Sequence, residues 1–190
     1  MKWSWLGAGL LAIGLAAGAV AQTGQDEYLS PSHPVETGKA PGMKVQLLSE
    51  NGKQKTYAVI FYKGDEAFSG LTDFAREYHV TAAHFTAIGA LSSARLAWFN
   101  PARKQYKVIP IDGQVEVVSM IGDIGLYKAK PSVHTHMVVV QSDGTTRGGH
   151  VLEAHVNPTL EVMVTVEPNT MYKRLDEATD LTLFDPAVHE

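Results

Sequence analysis

The chain has 190 residues, no cysteine, and a formal net charge of −4 with histidine neutral. Its length allows one domain with a sizeable core, and the missing cysteines exclude both a disulfide framework and a lipidation cysteine. The slightly acidic balance gives no basic footprint for nucleic acid, and the scattered aromatics lack the basic interleaving of a single-strand binder.

Met1 and Lys2 make a short positive start, and the run from Trp3 to Val20 is almost entirely apolar or small. Ala19-Val20-Ala21 then supplies an A-x-A cleavage signal. Together they predict a secretory signal peptide over residues 1–21, cut after Ala21 so that Gln22 begins the mature chain. The competing reading is an uncleaved membrane anchor, but the apolar run is near the lower length limit for a span. The expected location is periplasmic or secreted, in a bacterium, without stable membrane insertion. Residues 22–42 read as an irregular lead-in, because Pro31, Pro34, Pro41, Gly24, Gly38 and Gly42 interrupt any regular element. This is either a flexible spacer or an arm for a neighbouring subunit, anchored by Tyr28, Leu29 and Val35.

From Met43 the pattern becomes regular, giving a domain over 43–175 and a tail over 176–190. Residues 45–48 form a strand, Asn51-Gly52 a turn, and residues 55–62 a second strand. Phe68, Leu71, Phe74 and Ala75 recur at helical spacing and predict one amphipathic helix over 66–78. Strands follow over 82–88, 92–99, 105–110, 114–124, 133–141, 148–156 and 159–166, with a short terminal helix over 172–177. Loop lengths favour antiparallel order. The expected class is α+β, a mostly antiparallel sheet with one main helix and short flanking helices.

Three histidines dominate the functional reading. His134 and His136 lie in P-S-V-H-T-H-M-V-V-V, and His150 lies in R-G-G-H-V-L-E-A-H-V. Alternation along a strand projects His134 and His136 from one face. Asp143-Gly144 is a strong turn signal between the two strands, so a hairpin would bring His150 against the pair. Three converging imidazoles suit a divalent transition metal, zinc first, and leave one position open for water or substrate. Water held there would have its pKa lowered toward neutrality. A lone strand histidine is more often an ordinary hydrogen-bonding residue; the H-x-H pair and the third histidine carry the argument.

Other polar residues are weaker candidates. Glu116, inside Q-V-E-V-V-S, would be a carboxylate behind a histidine or a general base, or simply an outward strand residue. Arg147 would grip a substrate carboxylate, or be a solvated hairpin charge. Glu153 and His155 should face away from His150 on a regular strand; a bulge would change that. His79 and His84 read as non-ligands. Gly148-Gly149 is expected to mark a bulge or close backbone approach that aims His150, and Gly89-Ala90 a similar device. No nucleophile elbow, phosphate loop or dinucleotide fingerprint is present.

The runs A-V-I-F-Y-K-G-D-E, F-T-A-I-G-A-L-S-S-A, G-Q-V-E-V-V-S-M-I-G-D-I, H-T-H and G-G-H-V-L-E resemble the PPC (plants and prokaryotes conserved) domain family, over residues 56–167. The chain looks like a secreted bacterial version. The resemblance implies a largely antiparallel sheet with flanking helices, a homotrimer, and a histidine set falling on His134, His136 and His150. Plant members lack those histidines and carry an AT-hook for the DNA minor groove. No R-G-R-P core occurs here, so that role is not carried over. The family's fold is also similar to that of acetolactate decarboxylase, which uses a three-histidine zinc site; this is analogy of fold only.

Two function classes follow. One is a small zinc-dependent hydrolase or lyase acting on a small carbonyl or carboxylate compound. The other is a non-catalytic metal- or ligand-binding trimer. The near-continuous apolar runs over 115–121 and 133–140 support association independently, because a water-facing sheet would alternate more cleanly.

Overall fold

The computed structural model describes residues 26–32 and 38–188. The signal peptide over 1–21, its cleavage after Ala21, and residues 22–25 and 33–37 of the lead-in lie outside the described residues. The elements in chain order are β1 (Tyr28–Leu29), β2 (Lys44–Asn51), β3 (Gln54–Tyr62), α1 (Ala67–Glu77), β4 (Ala83–Asn100), β5 (Gln105–Tyr127), β6 (Lys130–Val140), β7 (Thr146–Val166), β8 (Lys173–Asp176) and β9 (Leu181–Phe184).

The main sheet runs β1-β5-β4-β7-β3-β2, and β6 pairs with both β5 and β7. Every strand pair is antiparallel. Since β4 also pairs with β5 and β7, the four strands β4 to β7 close a ring of pairings. The protein is more β-rich than a balanced α+β fold, with one helix among the described residues.

Several expected strands fuse. The expected strands over 82–88 and 92–99 fall in β4, which starts at Ala83, those over 105–110 and 114–124 in β5, and those over 148–156 and 159–166 in β7. The strands run through these breaks with shifts of register, which bend a strand without ending it. Register shifts fall between Ala87 and Gly89 and between Leu91 and Ser93. Gly89 has φ +151°, and a side chain there would meet the Thr159 carbonyl at 2.4 Å. It performs the close approach expected of the Gly89-Ala90 pair.

The helix forms where its apolar spacing predicts. Leu71, Phe74 and Ala75 are fully buried, and they join Val59, Phe61, Phe85, Leu91, Met120, Leu160 and Val164 in one core. The buried Glu66 carboxylate caps α1, accepting from Phe68 N at 3.0 Å and Ser69 N at 2.7 Å. It also accepts from Ala154 N on β7 at 2.9 Å. This bond ties the helix start to the sheet.

Both ends differ from expectation. The short terminal helix over 172–177 is instead β8, paired with β9, so a boundary at 175/176 cuts through a strand. Six residues are too few to hold a helix without tertiary support. Here the support goes to the hairpin: Lys173 is buried, and Asp180 turns the chain with φ +63°. In the lead-in, Tyr28 and Leu29 pair with Lys107 and Tyr106 of β5 of their own chain. No helix of the described residues is long and apolar enough to cross a membrane.

Candidate metal centre

Alternation along β6 sorts its residues. Thr135, Met137 and Val139 point into the core and are buried, whereas His134, His136 and Val138 are exposed on the outer face. On β7, His150 stands directly opposite His136. The turn between β6 and β7 is closed by Asp143, which accepts from Thr145 N at 2.9 Å, and by Gly144 at φ +81°. The ring centroids lie 5.1 Å apart for His134–His136, 5.2 Å for His134–His150 and 5.5 Å for His136–His150. One nitrogen from each ring lies within 4.8 Å of the others.

Backbone crowding fixes these positions. A side chain on Gly149 would strike the Ala97 carbonyl at 2.5 Å, and one on Gly148 would meet the Met137 carbonyl at 3.0 Å. The glycine pair is therefore a close approach, in regular register with Met137 and Val138. Gly122 plays the same part under His134, whose carbonyl a side chain would meet at 2.5 Å.

The electrostatics favour ligation. His150 is pushed down to about 3 by burial, and by the positive charge that His134, His136 and Lys173 would place beside it. Burial, then His134, also lowers His136, with Asp123 opposing. Both rings are thus held neutral, the form that binds metals. The His150 ring stacks on Tyr106 at 4.6 Å, and its buried Nδ1 has no hydrogen-bond partner among the described residues. A buried polar atom without a partner is unfavourable by about 1–3 kcal/mol, and a cation held at that nitrogen would relieve this. The residues fit a divalent transition metal.

Behind His134 stands a carboxylate that sequence reading missed. Asp123 is opposite His134 in the β5–β6 register, with Oδ2 3.5 Å from His134 Nδ1. Its other oxygen accepts from Lys173 Nζ at 2.7 Å. Burial raises the Asp123 pKa, but the nearby His134 ring and the bond from Lys173 outweigh it and hold the carboxyl below its usual range. An antiparallel hairpin drawn between residues 114–124 and 133–141 would have paired Asp123 with His134. No local signal marks Lys173, some fifty residues away.

The other candidates lie elsewhere. Glu116 is exposed on β5 opposite Val140, roughly 15 Å along the strand from the residue facing His136. The carboxylate beside a histidine of the cluster is Asp123, not Glu116. Arg147 is exposed opposite Val139, roughly 10 Å along β7 from His150. The expectation that Glu153 and His155 face away from His150 is corrected by a bulge. Leu96 pairs with Val151 but Arg95 with Glu153, so Leu152 is the extra residue and the alternation resets. Glu153 and His155 return to the side of His150 and form a separate surface group. Glu153 binds Arg95 at 3.0 Å and lies 3.5 Å from His155 Nε2. His79 and His84 stay outside the three-histidine cluster; His84 lies 3.4 Å from Glu167.

The fold and site define a small antiparallel β protein with a three-histidine constellation on an open sheet face. The chain belongs to the Plants and Prokaryotes Conserved (PCC) domain family, whose pattern matches residues 48–167. It is similar to a candidate DNA-binding protein of Ralstonia eutropha JMP134, at 29% identity and TM-score 0.64, over 70% of this chain and 96% of that one. A metal-containing protein of Archaeoglobus fulgidus matches at 25% identity and TM-score 0.64, over 75% and 96%. A plant- and prokaryote-conserved protein of Pyrococcus horikoshii shares the fold at 24% identity and TM-score 0.65, over 77% and 97%. No curated protein matches the chain.

Proposed function

We propose that this is a metal-binding PCC-domain protein that works outside the cytoplasm, with His134, His136 and His150 as ligands to one zinc or similar divalent ion. The carrying observation is the convergence of three imidazole nitrogens within 4.8 Å, one of the rings bearing an orphaned buried nitrogen. The metal-containing relative in Archaeoglobus supports the same reading. Three protein ligands leave a position facing solvent, which suits a hydrolase or lyase acting on a small carbonyl or carboxylate compound. A bound ion would supply Lewis acidity there. The chain's own part is to hold neutral imidazoles on a rigid sheet. The alternative in the same site is a non-catalytic metal- or ligand-binding trimer. The DNA-binding description of the Ralstonia relative is not carried over, because a net charge of −4 opposes phosphate.

Metal analysis of the purified protein tests this reading. About one ion per chain is expected from the three-ligand rule. His136→Ala should lose it, and full occupancy in that variant would overturn the assignment.

Assembly as a homotrimer belongs to the same proposal. Ile121, opposite His136, and Val138, two residues beyond it, are exposed on the histidine face, and Met163 continues that face across β4. Apolar side chains grouped around a site favour cover by another subunit. Light scattering should return three times the monomer mass; a monomer at all concentrations would remove the trimer and leave the metal site standing.

A further inference from the structure

Lys173 is the one lysine among the described residues whose side chain is buried in the core region, at 2% exposure. It sits on β8, beyond the 48–167 stretch that matches the family. A buried ammonium requires a partner for each N–H. Nζ donates to Asp123 Oδ1 at 2.7 Å and to the Ser132 carbonyl at 3.0 Å. Its third direction is covered by the Phe184 ring of β9, with the centroid 4.6 Å away. Lys173 is therefore oriented by β5, β6 and the C-terminal hairpin together.

The hairpin is docked closely enough to impose that orientation. Leu126 N donates to the Met171 carbonyl at 2.8 Å, and Gly125 leaves space that Phe184 fills, since a side chain there would meet the Phe184 ring at 2.5 Å. The ammonium fixes one oxygen of Asp123. The other oxygen faces His134 Nδ1 at 3.5 Å. An acceptor at Nδ1 selects the tautomer that carries its proton there, leaving Nε2 with a free lone pair.

We propose that Asp123 and Lys173 are positioning residues for the metal centre. The C-terminal hairpin, through Lys173, fixes Asp123, and Asp123 fixes His134 as the Nδ1–H tautomer that offers Nε2 to the metal. This rests on the metal-binding reading above. It assigns a function to a segment outside the family's matched region: the hairpin completes the ligand set from behind instead of capping the fold.

Two measurements test it, and the first needs no metal. Long-range proton–nitrogen correlation spectra of the metal-free protein at neutral pH should show His134 as the Nδ1–H tautomer. Asp123→Ala should shift it toward the ordinary mixture dominated by Nε2–H. The second is zinc affinity by competition with a chromophoric chelator. Asp123→Ala should weaken binding by about 10- to 100-fold, the usual effect of removing a partner behind a ligating histidine. Lys173→Met should weaken it by a smaller factor, and Lys173→Arg should recover part of the loss. The double variant Asp123→Asn, Lys173→Met removes both charges, so neither is left buried and unpaired, and it guards against a folding failure. It should stay folded by circular dichroism and still bind zinc more weakly than wild type. Wild-type affinity in Asp123→Ala and in the double variant, or an Nε2–H tautomer at His134 in the wild type, would overturn the proposal. A wild type that binds no zinc but shows the Nδ1–H tautomer would overturn the metal reading and leave the Asp123–His134 contact established.

Discussion

Asp65 and Glu66 place two carboxylates in the core, at a strand-to-helix turn, while His134, His136 and His150 place three imidazoles along an outer face. In the first cluster every carboxylate oxygen is used. Asp65 accepts from Gly42 N at 2.7 Å and Tyr62 N at 2.9 Å, and Glu66 accepts from Phe68, Ser69 and Ala154. All five donors are backbone amides, so these carboxylates pin segments of chain together and have little capacity left for a ligand. In the second cluster the imidazoles face one another, and a buried nitrogen is left without a partner among the described residues. Chemistry is expected where polar capacity is left over, and stability where it is consumed.

The largest effect that would break this contrast is at Glu66. Glu66→Ala removes the α1 cap and strands the buried Ala154 amide. It should destabilise the fold by about 3 kcal/mol, combining a lost cap with an unsatisfied buried donor. Urea denaturation measures this, and zinc bound per folded chain should be unchanged. His136→Ala should do the reverse: lose the metal and change the stability of the metal-free protein by less than about 0.5 kcal/mol, as an exposed strand substitution. A Glu66 variant of wild-type stability, or a His136 variant that unfolds, would reverse the roles given to the two clusters.

A smaller effect comes from pH. His150 sits at about 3 in the fold, because of burial and its cationic neighbours, against about 6.5 in the unfolded chain. Between those values the unfolded state binds the extra proton, so the stability of the metal-free protein falls as pH drops through this window. One proton gives a slope of at most about 1.4 kcal/mol per pH unit. His150→Phe keeps a ring to stack on Tyr106 and removes the proton, so its denaturation midpoint should vary less between pH 7 and pH 5. Equal pH dependence in the two proteins would mean that His150 is not the group held neutral.

Much of this contrast is legible in the sequence, and the rest is hidden for physical reasons. The histidine triad is readable because strand alternation and one turn signal determine which side chains meet. The helix is readable because Leu71, Phe74 and Ala75 keep its period. The bulge at Leu152 is not, since no glycine or proline marks it, and it moves Glu153 and His155 to a face that simple alternation denies them. The continuity of β4, β5 and β7 is hidden because Gly89, Gly113 and Asn157-Pro158 read as ends where the strands only bend. Lys173 is the deepest omission. A lysine in a short charged segment reads as surface until the fold brings Asp123, Ser132 and Phe184 around it.

The smallest expected effects sharpen the boundary of the site. Glu116 and Arg147 are exposed on strands adjoining the histidines, yet neither shares a hydrogen bond or ion pair with the cluster among the described residues. Charges roughly 10–15 Å away across solvent are separated from the ligands by a Debye length or more at physiological salt. Glu116→Gln and Arg147→Ala should therefore change zinc affinity by less than about twofold and stability by less than about 0.5 kcal/mol. Chelator competition at physiological salt reads the first quantity, and urea denaturation the second. The comparison with Asp123→Ala is the informative one, because all three substitutions remove a charge from the same region. If a long-range field set affinity, Glu116→Gln would weaken zinc and Arg147→Ala would strengthen it, each by less than Asp123→Ala weakens it because both charges are farther away. A difference confined to Asp123 would mean that the carboxylate beside His134 Nδ1, and not the more distant charges of the sheet, prepares the ligand. If instead Arg147→Ala shifts affinity only when the protein is concentrated enough to associate, its guanidinium reaches the site of a neighbouring subunit, and the boundary drawn here within one chain would have to be redrawn across two.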